Sequence, residues 1–243
     1  MSFTLEIAAF TLEGAMAAQK AGADRIELCT NYAEGGTTPS LGMLKTARKK
    51  IGVQLYPIIR PRGGNFVFSD DEFEVMKTDL QICKALKYDG VVIGILNPDG
   101  TVDTDRCEEL VELAGEMGVT FNRAFDRTPD PFKALEDIIE IGCERILTSG
   151  QVPEALAGAD TILKLIEKAD DRIAIMAGGG IRSHNILEIA EKTCAVEFHT
   201  SARIDVEPKK AKAKTSMKEN LSFVSADEKE IKAMIKVLEK FLR

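Results

Sequence analysis

The chain has 243 residues, 44% of them apolar, and a formal charge of −7 with a pI near 5.1. That is enough apolar side chain for one large core, and α/β barrels of this length form a single domain, here expected over residues 1–243. An acidic chain with no long apolar run and no basic, apolar leader offers nothing to nucleic acid or to a membrane, so the cytoplasm is the expected location.

Five cysteines, at positions 29, 83, 107, 143 and 194, are scattered without a Cys-x-x-Cys pair, which argues against a structural zinc site or a disulfide framework. Cys83 and Cys107 fall on the apolar side of helical patterns and read as small core residues. Cys29, at a strand end, is the one with a functional position.

Leu5 to Ala8 reads as the first strand, followed by a helix capped by Thr11 and stopped at Gly22. Arg25 to Cys29 is the second strand. Ser40 caps the next helix, and Val53 to Arg60 is the third strand. An eight-residue loop from Pro61 to Phe68 leads into Ser69-Asp-Asp-Glu72, a capping box that opens a helix. Val91 to Leu96 is the fourth strand, with a turn at Asn97-Pro-Asp-Gly100 and a helix expected to stop at Gly118.

Val119 to Phe125 is the fifth strand; Asp130-Pro131 then starts a helix that runs to Gly142. Arg145 to Thr148 is the sixth strand, and a helix is expected from Pro153 to Ala169. The seventh strand begins at Ile173 and breaks into Gly178-Gly-Gly180, with a short helix from near Ser183. Ala195 to Thr200 is the eighth strand. A long loop at about 204–224 follows, with five lysines, and Ser225-Ala-Asp-Glu228 reads as the capping box of the last helix. Eight strands alternating with eight helices predict a parallel sheet closed into a single-domain (β/α)8 TIM barrel. A faint internal echo agrees: Gly22-Ala-Asp-Arg-Ile26 before the second strand resembles Gly142-Cys-Glu-Arg-Ile146 before the sixth.

Alternate strand residues face a barrel's interior, and catalytic groups gather at strand C-termini. That parity sends Glu6, Arg25, Glu27, Cys29, Glu197 and His199 inward on neighbouring strands, facing Gln54, Arg60, Asn122 and Thr148. Buried carboxylates need partners, and Arg25, Arg60 or Arg123 would neutralise them; Glu6 and Glu197 could then form an ion-pair layer below the site. Carboxylate beside imidazole can also do acid/base work or hold a metal. The glycines after the seventh strand, with Thr200-Ser-Ala-Arg203 after the eighth, lie where barrels commonly bind phosphate. His184, at an outer helix start, reads as a solvated residue.

Several of these stretches together are similar to a known family. Ala21-Gly-Ala-Asp-Arg-Ile-Glu-Leu-Cys29, Glu34-Gly-Gly-x-x-Pro-Ser40, Ile59-Arg-Pro-Arg-Gly-Gly64, Arg123-Ala-Phe-Asp126, Arg145-Ile-Leu-Thr-Ser-Gly-Gln151, Ala177-Gly-Gly-Gly-Ile181 and Glu197-Phe-His-x-Ser-Ala-Arg203 resemble, in order, the CutC copper homeostasis family. The resemblance implies a TIM barrel, a cytoplasmic location, self-association into a homo-oligomer and a role in copper handling. One departure stands out: the family usually places histidine before the Arg-Ala-Phe-Asp run, and this chain has Asn122.

Two functions are therefore expected. In the first, Cu(I) binds at the C-terminal mouth through Cys29 and His199, with Met176 as a further soft donor, since cuprous ion favours thiolate, thioether and imidazole. In the second, the barrel is an enzyme for a small phosphorylated or anionic metabolite. Arg60, Arg62, Arg123, Ser149, Gly178, Gly179, Gly180, Ser201 and Arg203 would hold the anion, and Glu27, Asp126 and His199 would move protons. An interior richer in carboxylate and arginine than in sulfur favours the second, and the resemblance favours the first. A barrel serving only as a binding or scaffold subunit is the third reading.

Overall fold

The computed structural model describes residues 3–207 and 222–241. Eight parallel strands run β1 (Thr4–Ala9), β2 (Arg25–Leu28), β3 (Gln54–Pro57), β4 (Gly90–Ile93), β5 (Gly118–Phe121), β6 (Arg145–Thr148), β7 (Ala174–Gly178) and β8 (Glu197–Thr200). They pair in the order β3-β2-β1-β8-β7-β6-β5-β4, and an Ile58–Val92 bridge with Ile59 N donating to Val92 O at 2.8 Å joins the last strand to the first. The sheet thus rolls into the expected TIM barrel.

Among the described residues eight helices cover the outside: α1 (Leu12–Ala21), α2 (Leu41–Lys50), α3 (Asp70–Ala85), α4 (Thr104–Ala114), α5 (Pro131–Ile141), α6 (Ala159–Ala169), α7 (Ile186–Thr193) and α8 (Glu228–Phe241). Their ends follow local chemistry. Thr11 accepts from Gly14 N and Gly22 closes α1 in the left-handed region, while Ser69 and Glu72 form a complete capping box on α3. The main core lies between barrel and helices, where Leu5, Ile7, Ile26, Leu28, Phe121 and Phe198 are fully buried on the outward faces of their strands. Burying each such side chain is worth about 2 kcal/mol, so this layer supplies most of the driving force. No helix among the described residues is long and apolar enough to cross a membrane.

Several boundaries differ from those expected. α4 stops at Gly115, and Gly118 instead opens β5, because Glu116 and Met117 form the connecting turn. β5 ends at Phe121; Phe125 lies in a 3-10 turn (Phe125–Arg127) that redirects the chain over the barrel mouth. α6 begins at Ala159, since residues 153–158 form turns that pack under the glycine loop, with Ala155 N donating to Gly179 O. The helix after β7 starts at Ile186, past a turn containing an exposed His184.

The long loop expected at 204–224 is bounded by an antiparallel hairpin of β9 (Arg203–Val206) and β10 (Phe223–Ala226). Ser225 therefore sits in a strand, and Asp227 accepts from Lys229 N at the start of α8 in its place. The five lysines lie outside the described residues.

Candidate functional site at the barrel mouth

The barrel interior is built in two levels. The lower one is ionic. Arg25, 2% exposed, donates through Nε to Glu6 at 2.5 Å and through Nη2 to Glu197 at 2.7 Å, and Arg145 pairs with both Glu197 and Glu144. Tyr56 fills the rest: its ring lies 5.4 Å from the Arg25 guanidinium and its hydroxyl donates to Glu144 at 2.9 Å. Met176 is wholly buried here, its Sδ 3.3 Å from Arg25 Nη2. Glu6 and Glu197 do form the ion-pair layer expected of them, but their cations are Arg25 and Arg145, while Arg60 and Arg123 act at the rim.

Above this floor stands His199. Its Nδ1 lies 2.7 Å from Glu6 Oε1, and its Nε2 is 3.7 Å from Glu27 Oε2. Burial would raise Glu6, but the hydrogen bond from His199 and the charge of Arg25 outweigh it and hold the carboxyl at about 2. Burial disfavours the imidazolium, yet the bond to Glu6 and the charges of Glu27 and Glu6 keep His199 above its ordinary value. Glu27 is different: burial raises it to about 7 against the pull of His199, and the charge of Glu6 adds to the rise. The site thus sets an imidazole whose protonated form is favoured beside a carboxyl poised near neutral pH between its two forms, a pairing of acid and base that proton transfer needs.

That placement gives a stability test. The folded value of Glu27 lies above the ordinary 4.5, so its contribution is fully present below 4.5 and is lost as pH rises through about 7. Glu27→Gln keeps the shape and removes the titration. Its melting temperature should match that of the wild type near pH 4.5 and exceed it at pH 8, by an amount worth on the order of 3 kcal/mol; equal melting temperatures at pH 8 would show that Glu27 is not destabilised by burial.

The mouth pocket has a volume of about 200 Å³. Glu27, His199 and Asn122 are on its lining, with Gly179, Gly180 and Ser201 on one side and Arg60, Arg123, Arg182 and Arg203 around it. Gly178 stands just below: a Cβ there would lie 2.4 Å from Leu147 Cδ1 and 3.2 Å from His199 Cβ, so glycine makes the room that the imidazole occupies. Gly179 and Gly180 have φ of 112° and 71°, a conformation that side chains resist. The backbone N–H groups of Gly179, Gly180 and Ser201 meet no protein acceptor among the described residues, so three donors are left for a ligand. Asn122 accepts at Oδ1 from Ala124 N, leaving its Nδ2 as a further donor on the lining. Arg203 lies over the Tyr32 ring at 5.2 Å, and Arg182 reaches the Arg203 carbonyl.

Other expected residues serve elsewhere. Asp126 accepts from Arg123 Nε, Thr148 Oγ1, Ser149 N and Oγ, and Gln151 N, so it pins the loop after β6 and is absent from the mouth lining. Ser149 is fully buried in that same loop and does not reach the pocket. Arg62 spends its donors on Glu72 and on the carbonyls of Gly63, Asn65 and Val67, which shapes the loop after β3. Thr148 points outward to Asp126, and Leu147 takes the interior place. Gln54 is exposed at the opposite end of the barrel.

Cys29 is buried beside Ile58 and Val92 and is not on the pocket lining. Burial first, and then the charge of Glu27, push its thiol well above the ordinary value, the reverse of what a thiolate ligand needs. Among the described residues no group of three or more His, Cys, Asp or Glu side chains is placed to hold a metal ion. Arg182 and Arg145 were not expected. For Arg145 a signal existed, because the echo of Gly22-to-Ile26 at Gly142-to-Ile146 puts two arginines at matching strand starts, and both bond Glu197.

Known proteins share this architecture and sequence. The sequence profile of the CutC family matches residues 3–204. A CutC family protein of Xylella fastidiosa (strain 9a5c) is 49% identical over 203 residues, covering 84% of this chain and 76% of that protein. The human "copper homeostasis protein cutC homolog" is 46% identical over 201 residues, covering 83% of this chain and 74% of its own. The crystal structure of a CutC from Streptococcus agalactiae superposes with a TM-score of 0.78 at 35% identity, covering 82% of this chain and 98% of that one. Phosphoribosylanthranilate isomerase from Thermotoga maritima, at 13% identity and a TM-score of 0.57, shares the fold alone. From the match over residues 3–204 and the identities near one half, the chain belongs to the CutC family.

Proposed function

We propose that the barrel binds a small phosphorylated or otherwise anionic metabolite at its mouth and moves a proton on it between His199 and Glu27. One observation carries this: Gly179, Gly180 and Ser201, whose backbone N–H groups have no acceptor among the described residues, line the pocket together with Glu27 and His199. Phosphate oxygens match such donors, and Arg182 and Arg203 supply the countercharge. His199 holds a proton at Nε2 while Glu6 accepts from Nδ1, which fixes the ring. Glu27, close to half-ionised at neutral pH, is the base.

A second reading, copper handling, is favoured by the name of the human relative and by Cys29 and His199 both standing beside Glu27. In it, Cu(I) displaces the Cys29 proton and bonds the thiolate and the imidazole at the mouth, with Met176 as a third donor once it leaves Arg25. The high thiol value and the Met176–Arg25 contact both oppose it, so the metabolite reading stands first.

The two are separated by one set of measurements. A panel of small phosphorylated compounds should raise the melting temperature, with a saturating ligand at a hundredfold its Kd adding about 2.7 kcal/mol, and Arg203→Ala should abolish the shift. No shift across the panel, together with anaerobic Cu(I) binding at one ion per chain that Cys29→Ser and His199→Ala both lose, would overturn the metabolite reading for copper.

A further inference from the structure

The mouth does not end at the pocket just described. A second hollow of about 410 Å³ adjoins it and shares Gly35, Arg60, Phe66 and Arg123 as a common wall. Arg127, Gln151 and Pro153 are on its far side. Across the two hollows five arginines face three carboxylates, a positive cleft on a chain whose formal charge is −7.

Most of that positive charge is unpaired. Arg123 bonds Asp126, and it is the one of the five in an ion pair among the described residues. Arg60, 3% exposed, gives its Nη1 to the carbonyls of Glu34 and Gly36 and its Nη2 to that of Gly64. Its Nε is buried with no acceptor among the described residues. Arg127 is exposed, has no side-chain hydrogen bond or ion pair among the described residues, and lies 5.3 Å from the Phe66 ring, with Arg60 at 4.7 Å from the same ring. The two guanidinium groups thus crowd one aromatic ring, and burial and the charge of Arg127 both press the Arg60 pKa downward.

The two carboxylates of the second hollow relieve this only in part: the charge of Glu34 acts on Arg60 in the opposite sense, yet burial and Arg127 leave its pKa lowered. Asp126 is filled by its loop donors, and the Glu34 carboxylate lies against Gly63, where an added Cβ would meet it at 1.8 Å. Two like charges held over one ring, neither of them in an ion pair among the described residues, mark a place for an anion.

Building on the proposed function, we infer that the metabolite has two anionic ends: one on the glycine loop above His199 and Glu27, the other in the second hollow against Arg127 and Arg60. The segment between them passes over Phe66. The ligand class is therefore a small diphosphorylated compound or a phosphorylated carboxylic acid.

Calorimetric titration with propyl phosphate and with a graded series of alkanediol bisphosphates tests this on the full chain. In the wild type, the bisphosphate of matching length should bind at least about tenfold tighter than propyl phosphate, as one added charge-assisted contact gives. Arg127→Gln, at an exposed side chain with no hydrogen bond, should erase that advantage and leave propyl phosphate unchanged; Lys164→Gln, exposed on α6, should alter neither. Equal binding of one-ended and two-ended probes by the wild type overturns the two-ended ligand while leaving the glycine-loop site intact. So does a loss in Arg127→Gln that falls equally on both probes. Failure of propyl phosphate to bind at all, or binding of it that Arg203→Ala leaves unchanged, sinks the site itself and this inference with it.

Discussion

Arg25→Met should destabilise the protein by roughly 4 kcal/mol, the largest loss expected from any single side chain of the interior. Methionine fills a similar volume, so packing is nearly conserved and the change isolates charge. What remains is Glu6, 1% exposed and left with His199, and Glu197, left with Arg145, each short of one of the cations that held it. Removing one partner of a buried pair leaves the whole desolvation penalty of the other. The pH dependence has a definite sign. Glu6 is held at about 2, below the ordinary 4.5, so it contributes stability that is present above 4.5 and lost as pH falls through 2. The variant has less of that contribution to lose, and the gap from the wild type should close as pH is lowered across this window. Urea unfolding at neutral pH and again near pH 3 reads both; a loss below about 1 kcal/mol at neutral pH would mean that the ionic floor is not what holds this end of the barrel.

A single methyl group at Gly90 should cost roughly 3 kcal/mol, at the upper end for overpacking. The Cβ would stand 2.1 Å from Tyr56 Cε1, 2.4 Å from Tyr56 Cζ and 2.5 Å from Gly118 O. Tyr56 cannot swing away, because Arg25 and Arg145 lie over its ring and Glu144 holds its hydroxyl. The carbonyl belongs to the paired strand, where Gly90 and Gly118 are in register. Denaturant titration of Gly90→Ala should show a lower midpoint at unchanged slope. Loss of less than about half the expected energy would show that the ring has room that these contacts deny it.

The strand order and the inward placement of Glu6, Arg25, Glu27, Glu197 and His199 were legible because period-two alternation with apolar outward residues is a strong local signal. Boundaries failed where a long-range bond decides them: residues 153–158 look helical, but they are drawn into turns by the contact of Ala155 with Gly179. Thr148 carries a polar label at a strand end, yet parity from Arg145 puts Leu147 inside, and counting from the arginine would have shown it. Asp126 and Ser149 sit in two separate motifs that read as a proton-transfer and an anion-binding position, and only the three-dimensional fold reveals that they bond each other. Tyr56 gave no signal at all. Its slot is made by two glycines, at 90 and 118, that are distant in sequence and meet only when β4 and β5 pair.

The ionic floor has one consequence for how such a barrel can change over time. The pKa of His199 is raised mainly from beneath by Glu6, which Arg25 anchors in turn, with Glu27 adding to the rise and Arg123 the one rim residue that opposes it. The rim, where Arg127, Arg182 and Arg203 stand, can therefore be rebuilt residue by residue without retuning the chemistry below it. Relatives with the same floor and altered rims would inherit one reactive core and diverge in what they accept.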